Sequence, residues 1–424
     1  MVDQIKVIRG MHDILPAQMH VWHQIEDSWR HLVENYGYQQ IRTPVLEKTA
    51  LFRRSIGEVT DIVEKEMYSF DDIGGDNLSL RPEGTASVVR AGIENGLLVN
   101  QQQKLWYNGS MFRRERPQKG RYRQFHQLGA ETFGMPGADI EAELIFMAAR
   151  FWKKLGLQHI ELQINTLGTA ETRLVYKEIL LAYLREHLSE LDEDSLRRLE
   201  TNPLRILDSK NPDMQGMIEA APQLMDHLDQ QSAEHFAELC EILDYNGQAY
   251  QVNKRLVRGL DYYSHTVFEW VTSTLGAQGT VCAGGRYDSL VEQLGGKPGS
   301  AAGFAMGIER LVLMLEEQAK VQPAPQADVY FVMVGENTVK TGQKLAEQLR
   351  DALPDLRISV HSGGGSFKSQ LKKADKSGAV IALILGESEL QKSTINIKFL
   401  RQEKPQLELE QAQLLDKISA IINE

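Results

Sequence analysis

Apolar residues recur along this chain with two different periods, and the change of period divides it. Val21, Trp22, Ile25, Trp29, Leu32, Val33 and Tyr36 fall at helical spacing and predict one amphipathic helix, with Pro16 at or just before its start and Gly37 at its end. An extended stretch follows from Tyr38 to Glu47, interrupted by Pro44, as at a strand edge or junction. Asn77–Leu80 reads as a short strand and Thr85–Glu94 as the helix after it. Lys104–Phe112 and Arg123–Phe133 read as two strands joined by a polar, basic loop. Strand patterns return at Arg255–Trp270 and near Gly279–Ala283, and Phe304–Glu317 reads as a strongly apolar helix.

Gln322-Pro323-Ala324-Pro325 is the best linker in the sequence. After it, strands at Val329–Val334, Leu356–Val360 and Ala379–Leu385 alternate with helices at Thr338–Leu353 and Ser366–Ser377. That alternation predicts a small α/β domain with a mostly parallel sheet. Residues 171–250 differ from both parts. They are helix-prone, broken at Asn-Pro before Pro203 and Pro212, and read as a helical insertion.

Charge sharpens this division. The whole chain carries −11, but residues 171–250 hold 7 Lys/Arg against 17 Asp/Glu, leaving the remainder near neutral. Basic patches elsewhere are therefore free to meet phosphate. The longest clean apolar run, Ala379–Leu385, is too short to span a bilayer, and the N-terminus lacks a secretory h-region. Cys240 and Cys282 are too few for a disulfide framework and lack metal-ligand spacing. These features predict a cytoplasmic protein with no membrane partner and no metal held by protein ligands alone.

The densest chemistry lies between the two central strands. Six of the eleven residues from Arg113 to Arg123 are basic and one is acidic. Guanidinium groups give bidentate contacts to phosphate oxygens, so such a loop suits a polyphosphate, with Phe125 placed to stack on a base. There is no G-x-x-x-x-G-K-[ST] and no G-x-G-x-x-G opening a βαβ unit, which excludes a P-loop and a dinucleotide fold.

These residues carry a resemblance. The basic hairpin resembles motif 2 of the class II aminoacyl-tRNA synthetases, Gly303–Leu311 resembles motif 3, and the helix and strand ending at Pro44 resemble motif 1. Within that class, Arg9-Gly10-Met11, Leu80-Arg81-Pro82-Glu83-Gly84-Thr85 and Arg258-Gly259-Leu260-Asp261-Tyr262-Tyr263 resemble histidyl-tRNA synthetases, and Gly363–Lys376 is similar to that family's C-terminal domain. Ser110, where many members have proline, and His265, where arginine is common, depart from the pattern.

The resemblance implies an α+β fold: an antiparallel sheet with flanking helices over 1–325, the insertion at 171–250 within it, and an α/β anticodon-binding domain over 326–424. It also implies a homodimer, and a reaction in which the histidine carboxylate attacks the α-phosphorus of ATP before the histidyl group passes to tRNA(His). Arg113 and Arg258 would meet the α-phosphate from opposite sides, and Arg121 and Arg310 would hold the outer phosphates. Phe125 would stack on adenine, and Mg2+ would be bound mainly through the ATP phosphates. Glu83, Thr85 and Gln127 would receive the α-amino group of L-histidine, and Gly84 and Arg258 would also belong to the histidine-binding set. Glu131 and Tyr263 would meet the imidazole with Tyr262 beside them, since a carboxylate and a phenol can satisfy both ring nitrogens. Lys368, Lys372, Lys373 and Lys376, on one predicted helix, fit either an RNA-phosphate contact near the anticodon or a solvated charged face. The competing readings are an RNA-binding module with no chemistry, a class II synthetase for another amino acid, and a histidine-sensing subunit of ATP phosphoribosyltransferase. Such paralogues typically lack the C-terminal domain and erode motif 2 and the double tyrosine, all of which are intact here.

Overall fold

A computed structural model of the chain describes residues 4–57, 60, 62–200, 202–207, 209, 211–258, 260, 262–275, 279–318 and 325–423. Gly259 and Asp261 of the signature and Gln322–Ala324 of the linker lie outside the described residues. The rest gathers into two compact units, divided between Val321 and Gln322.

The N-terminal unit is built on an eight-stranded sheet. Its spatial order is Gln39–Gln40, Gln103–Phe112, Gln124–Phe133, Ala301–Gly307, Thr280–Arg286, Ser264–Val271, Glu161–Thr166 and Gln251–Val252. Every interior pairing is antiparallel, and only the two-residue strands at the edges pair parallel. Period-two alternation along Gln124–Phe133 sorts its side chains. Leu128 and Ala130 enter the main core, while Gln127, Gly129 and Glu131 point to the opposite face. The core face is covered by helices Met19–Asn35, Ala138–Leu155, Gln230–Tyr245 and Ile308–Glu317. The first of these buries Val21, Trp22, Ile25, Trp29, Leu32 and Val33, the stripe expected from the sequence, and Gly37 just beyond it has a φ of +80°.

The outer edge of Gln103–Phe112 is closed by pieces from earlier in the chain. Gln39 and Gln40 pair with Leu105 and Trp106. Further along, the buried Arg81 takes the place of a strand. Its carbonyl accepts from Phe112 N at 2.9 Å, its Nε donates to Ser110 O at 2.9 Å, and its Nη1 donates to Thr43 O at 2.9 Å. The Arg81 of the histidine signature is thus a sheet-edge plug.

Several expectations need correction. The strand expected over Arg255–Trp270 is confined to Ser264–Val271. Of the residues before it, those described lie outside any strand, in the segment that delivers Arg258, Tyr262 and Tyr263 to the site. The helix expected from Phe304 begins at Ile308, because Ala301–Gly307 is an interior strand. Its alanines and glycines lack the β-branched signature of a strand, and the pairing to Glu131 that requires them is long-range. Gly303 sits opposite Glu131 in the register, where a Cβ would run into the Glu131 carboxylate. Gly303→Ala should therefore destabilise the unit by about 1–3 kcal/mol through overpacking, read as a lowered Tm together with a raised KM for histidine. An unchanged Tm would contradict that crowding. The extended stretch Tyr38–Glu47 also splits, its ends serving two different sheets.

The described residues of 171–250, expected as a helical insertion, are helical. Ala170–Glu186, Glu193–Arg198 and Gln230–Tyr245 each begin with a side-chain cap, from Thr169, Asp192 and Asp229. Both Asn-Pro steps open single 3-10 turns with proline in the first position.

The C-terminal unit orders its strands Ile358–Val360, Val329–Val334, Ile381–Gly386, Thr394–Phe399 and Leu407–Glu410. The first three are parallel, as expected. The last two are antiparallel, so the sheet is mixed rather than mostly parallel. Helix Phe367–Lys376 is capped by Ser366. It buries Gln370 and Ala374 and exposes Lys368, Lys372, Lys373 and Lys376.

Candidate active site

The face of the large sheet that carries Gln127 and Glu131 opens into a cavity of about 360 Å3. Arg113, Arg121, Arg258 and Arg310 all line it, together with Glu83, Thr85, Phe125, Gln127, Tyr262 and Tyr263. Segments as far apart as residues 83 and 310 thus meet at one place.

The arginines arrive from three directions. Arg113 leaves the end of Gln103–Phe112. Its Nε donates to Pro82 O at 2.8 Å, and its guanidinium lies 5.2 Å from the centre of the Phe125 ring. Arg310 stands on the first turn of Ile308–Glu317 and donates to Thr280 O. That helix is pinned by Glu309, whose carboxylate accepts from His126 N at 3.0 Å and faces His126 Nδ1 at 2.9 Å. Arg121 contacts Glu115, and Arg258 contacts Glu269 while lying over the Tyr263 ring.

Burial, and then the proximity of Arg121 and Arg113, depresses the pKa of Arg310. Burial and, more weakly, Arg258 depress that of Arg113, against Glu66, Glu83 and Tyr262. Mutually repelling cations in one cavity are an arrangement that a polyanion relieves.

The side of the cavity lined by Glu83 and Gln127 has a different character. Glu83 accepts from Thr85 N at 2.6 Å and Ala86 N at 2.9 Å, so its carboxylate caps the helix Thr85–Glu94. Burial raises its pKa, opposed by those two bonds. In the cavity wall Glu115 Oε2 lacks a hydrogen bond but has the ion-pair contact of Arg121, whereas the acceptor Gln127 Oε1 and the donor Arg258 Nε are buried without a hydrogen-bond partner among the described residues. Unsatisfied buried groups of this kind are uncommon and call for an occupant. One matches an ammonium and the other an anion. Gly84 does not line the cavity. It packs against the Tyr107 ring, where a Cβ would collide.

Glu131 lies beneath the cavity rather than in its wall and is fully buried. One oxygen accepts from Thr85 Oγ1 at 2.7 Å and the other from the Tyr287 hydroxyl. Burial pushes its carboxyl up to about 8, against the lowering effect of the Tyr287 and Thr85 hydrogen bonds. Tyr262, Tyr263 and Tyr287 form a cluster beside it, with ring centres 4.8, 5.6 and 6.3 Å apart.

Tyr287 is the residue that the sequence reading missed. The phenol bonded to Glu131 comes from the end of Thr280–Arg286, not from the double tyrosine. A signal was present. Gly284 and Gly285 inside a strand mark a close approach, and Arg286-Tyr287-Asp288 follows them directly.

The histidyl-tRNA synthetase family profile matches residues 10–311, and an anticodon-binding domain profile matches residues 328–421. The chain is 60% identical to a histidine--tRNA ligase of Hydrogenovibrio crunogenus over 406 residues, covering 96% of this chain and 95% of that one. Among solved structures it resembles the apo histidyl-tRNA synthetase of S. aureus, with 34% identity, a TM-score of 0.83 and coverage of 98% and 99%. A histidyl-tRNA synthetase from Nostoc sp. PCC 7120, 18% identical over 99% of this chain and 100% of that one, shares the fold with a TM-score of 0.71. With its cavity arginines, its buried carboxylate and these likenesses along nearly its whole length, the chain belongs to the histidyl-tRNA synthetase family.

Proposed function

We propose that the chain activates L-histidine with ATP to histidyl-adenylate and pyrophosphate, and then passes the histidyl group to the 3′ end of tRNA(His). Membership of the family supports the reaction. One structural observation carries its assignment to this cavity: four arginines from three segments share it with Phe125 and with the tyrosine cluster bonded to Glu131 beneath it.

In the first step a histidine carboxylate oxygen attacks the α-phosphorus, and the bond to the pyrophosphate oxygen breaks. No protein nucleophile is needed, so the contribution of the protein is placement and charge. Arg113 and Arg258 neutralise the charge that gathers at the α-phosphate, and Arg121 and Arg310 hold the departing phosphates. Phe125 stacks on the adenine. Mg2+ would be held mainly through the ATP phosphates rather than by these side chains, and would supply further neutralisation there. For Arg121 Nε to meet phosphate its contact to Glu115 must be exchanged, whereas Arg258 can offer its unpaired Nε while Nη1 keeps Glu269.

Gln127 Oε1 and the remaining lone pairs of Glu83 take the substrate ammonium, with Thr85 and Gly84 shaping that corner. Glu131, steadied by Thr85 and Tyr287, takes one imidazole nitrogen, and Tyr263 takes the other with Tyr262 behind it. In the second step the terminal ribose hydroxyl of the tRNA attacks the carbonyl carbon of the adenylate and AMP leaves.

We assign catalysis to residues 1–325 with the insertion at 171–250, and anticodon binding to residues 326–424. The exposed Lys368, Lys372, Lys373 and Lys376 meet RNA phosphate there. Val45 and Leu46, exposed beside Pro44, fit a homodimer through that segment. No helix among the described residues is long and apolar enough to cross a membrane, and we place the protein in the cytoplasm.

Amino-acid-dependent ATP–pyrophosphate exchange, run with each of the twenty amino acids, tests the reading. Histidine should stimulate exchange far above the others. Stronger stimulation by any other amino acid would remove the specificity assignment.

A further inference from the structure

Arg286 lies one residue before Tyr287 and is 1% exposed. A guanidinium so deeply placed is tolerated only if its donors are used, and here they are spent on a single seam. Nε donates to Glu141 Oε1 at 3.0 Å, Nη1 to Met135 O at 3.2 Å and Asp288 Oδ1 at 3.3 Å, and Nη2 to Gly137 O at 2.9 Å. Met135 and Gly137 follow directly on Gln124–Phe133, the strand that carries Glu131. One planar group therefore ties the end of the Glu131 strand to the end of the strand that presents Tyr287.

Backbone bonds close the same seam. Tyr287 N donates to Ala301 O at 2.8 Å, Ala301 N to Asp288 Oδ1 at 2.8 Å, and Gly134 N to Ser300 O at 2.7 Å. Glu141, itself fully buried, uses its second oxygen to accept from His235 Nε2 at 2.6 Å. His235 stands on Gln230–Tyr245, the last helix of the insertion.

We infer that Arg286, held by Glu141, is a positioning residue for histidine selection: it sets the Tyr287 hydroxyl against Glu131, and His235 ties the insertion to that clamp. The inference rests on the reading of Glu131 as the imidazole partner. A hydrogen bond between side chains on two different strands survives only if the strand ends hold their separation to a fraction of an ångström. The fork of an arginine fixes such a separation, and the single ammonium of a lysine does not.

The test is a double-mutant cycle on the full-length enzyme, using Arg286→Lys, Tyr287→Phe and the pair. KM for histidine and for ATP are measured in pyrophosphate exchange, alongside Tm. Each single variant should raise the histidine KM roughly tenfold, as for loss of one charge-assisted hydrogen bond, and leave the ATP KM unchanged. The pair should be no worse than Tyr287→Phe alone, because the arginine acts through the tyrosine. Effects that multiply, or an ATP KM that rises with the histidine KM, would overturn the inference. If Arg286→Lys does not fold, His235→Asn takes its place in the same cycle. It should give roughly a threefold rise that vanishes in the Tyr287→Phe background, and persistence of that rise counts against the clamp. Failure of the underlying reading is separable, since it appears as an unchanged histidine KM in Glu131→Gln.

Discussion

Arg113→Ala should lower histidine-dependent ATP–pyrophosphate exchange by about a thousandfold, with the loss in kcat rather than in KM. Removing a single donor aimed at developing charge typically lowers a rate by about 10²–10³, and Arg113 presents a full guanidinium. Its Nε is committed to Pro82 O and its plane lies against Phe125, so its free edge is set before any ligand arrives. Preorganised charge of this kind needs no rearrangement during the reaction. Folding should suffer little, because Arg113 adds to the repulsion felt by Arg310 and its charged form is already disfavoured by burial. Arg113→Lys should recover only a small part of the loss, since an ammonium cannot span two oxygens as the fork does. Exchange within tenfold of the parent protein would remove Arg113 from the reaction.

The second large effect belongs to Glu131. Glu131→Gln should raise the histidine KM by about a hundredfold or more, because a site built around hydrogen-bonding groups rejects ligands that leave them unpaired. The pH dependence gives a sharper test. With its carboxyl pushed up to about 8, ligand-free Glu131 holds a proton at neutral pH. The free imidazole titrates near ~6.5. A complex in which one proton lies between them forms without proton exchange only from about pH 6.5 to 8. Below that window one proton must be expelled, and above it one must be taken up. Histidine affinity should therefore fall on both sides, and Glu131→Gln should abolish the alkaline fall. Stability follows the same sign. The folded state holds a proton that the unfolded chain releases above the ordinary carboxylate value, so this group makes the protein less stable as pH rises towards 8. The Tm of Glu131→Gln should be flatter across that range. A histidine KM independent of pH from 6 to 9 in the parent protein would contradict the assignment.

Local pattern made some elements legible and long-range pairing hid others. Thr85–Glu94, Asn77–Leu80 and Val329–Val334 fall at the bounds read from period and capping residues, because each is decided by its own dozen residues. Arg113 and Arg121 were legible because cationic density survives in a linear string, whereas Arg258 and Arg310 were reached only through the family resemblance. The strand Ala301–Gly307 was not, since its small residues answer to Glu131 across the sheet rather than to any propensity of their own. The same reason hid Tyr287. Its importance lies in a partner 156 residues earlier, and nothing nearby announces which carboxylate it will meet. Glu83 shows the opposite limit. Its place in the cavity wall was expected from the resemblance, but its two bonds to Thr85 and Ala86, which make it the cap of the next helix, emerge only in three dimensions.

The plug formed by Arg81 and Gln39–Gln40 has a consequence for how the polypeptide leaves the ribosome. Those residues are synthesised before Gln103–Phe112, so one flank of the central hairpin is sealed as soon as the hairpin emerges. The other flank, along Gln124–Phe133, waits for Ala301–Gly307, which is made much later. During that interval its unpaired amides and carbonyls offer a template to any neighbouring nascent strand. Chains truncated between residues 133 and 301 therefore leave an open ladder on the very strand that carries Glu131, and chaperone capture should concentrate there.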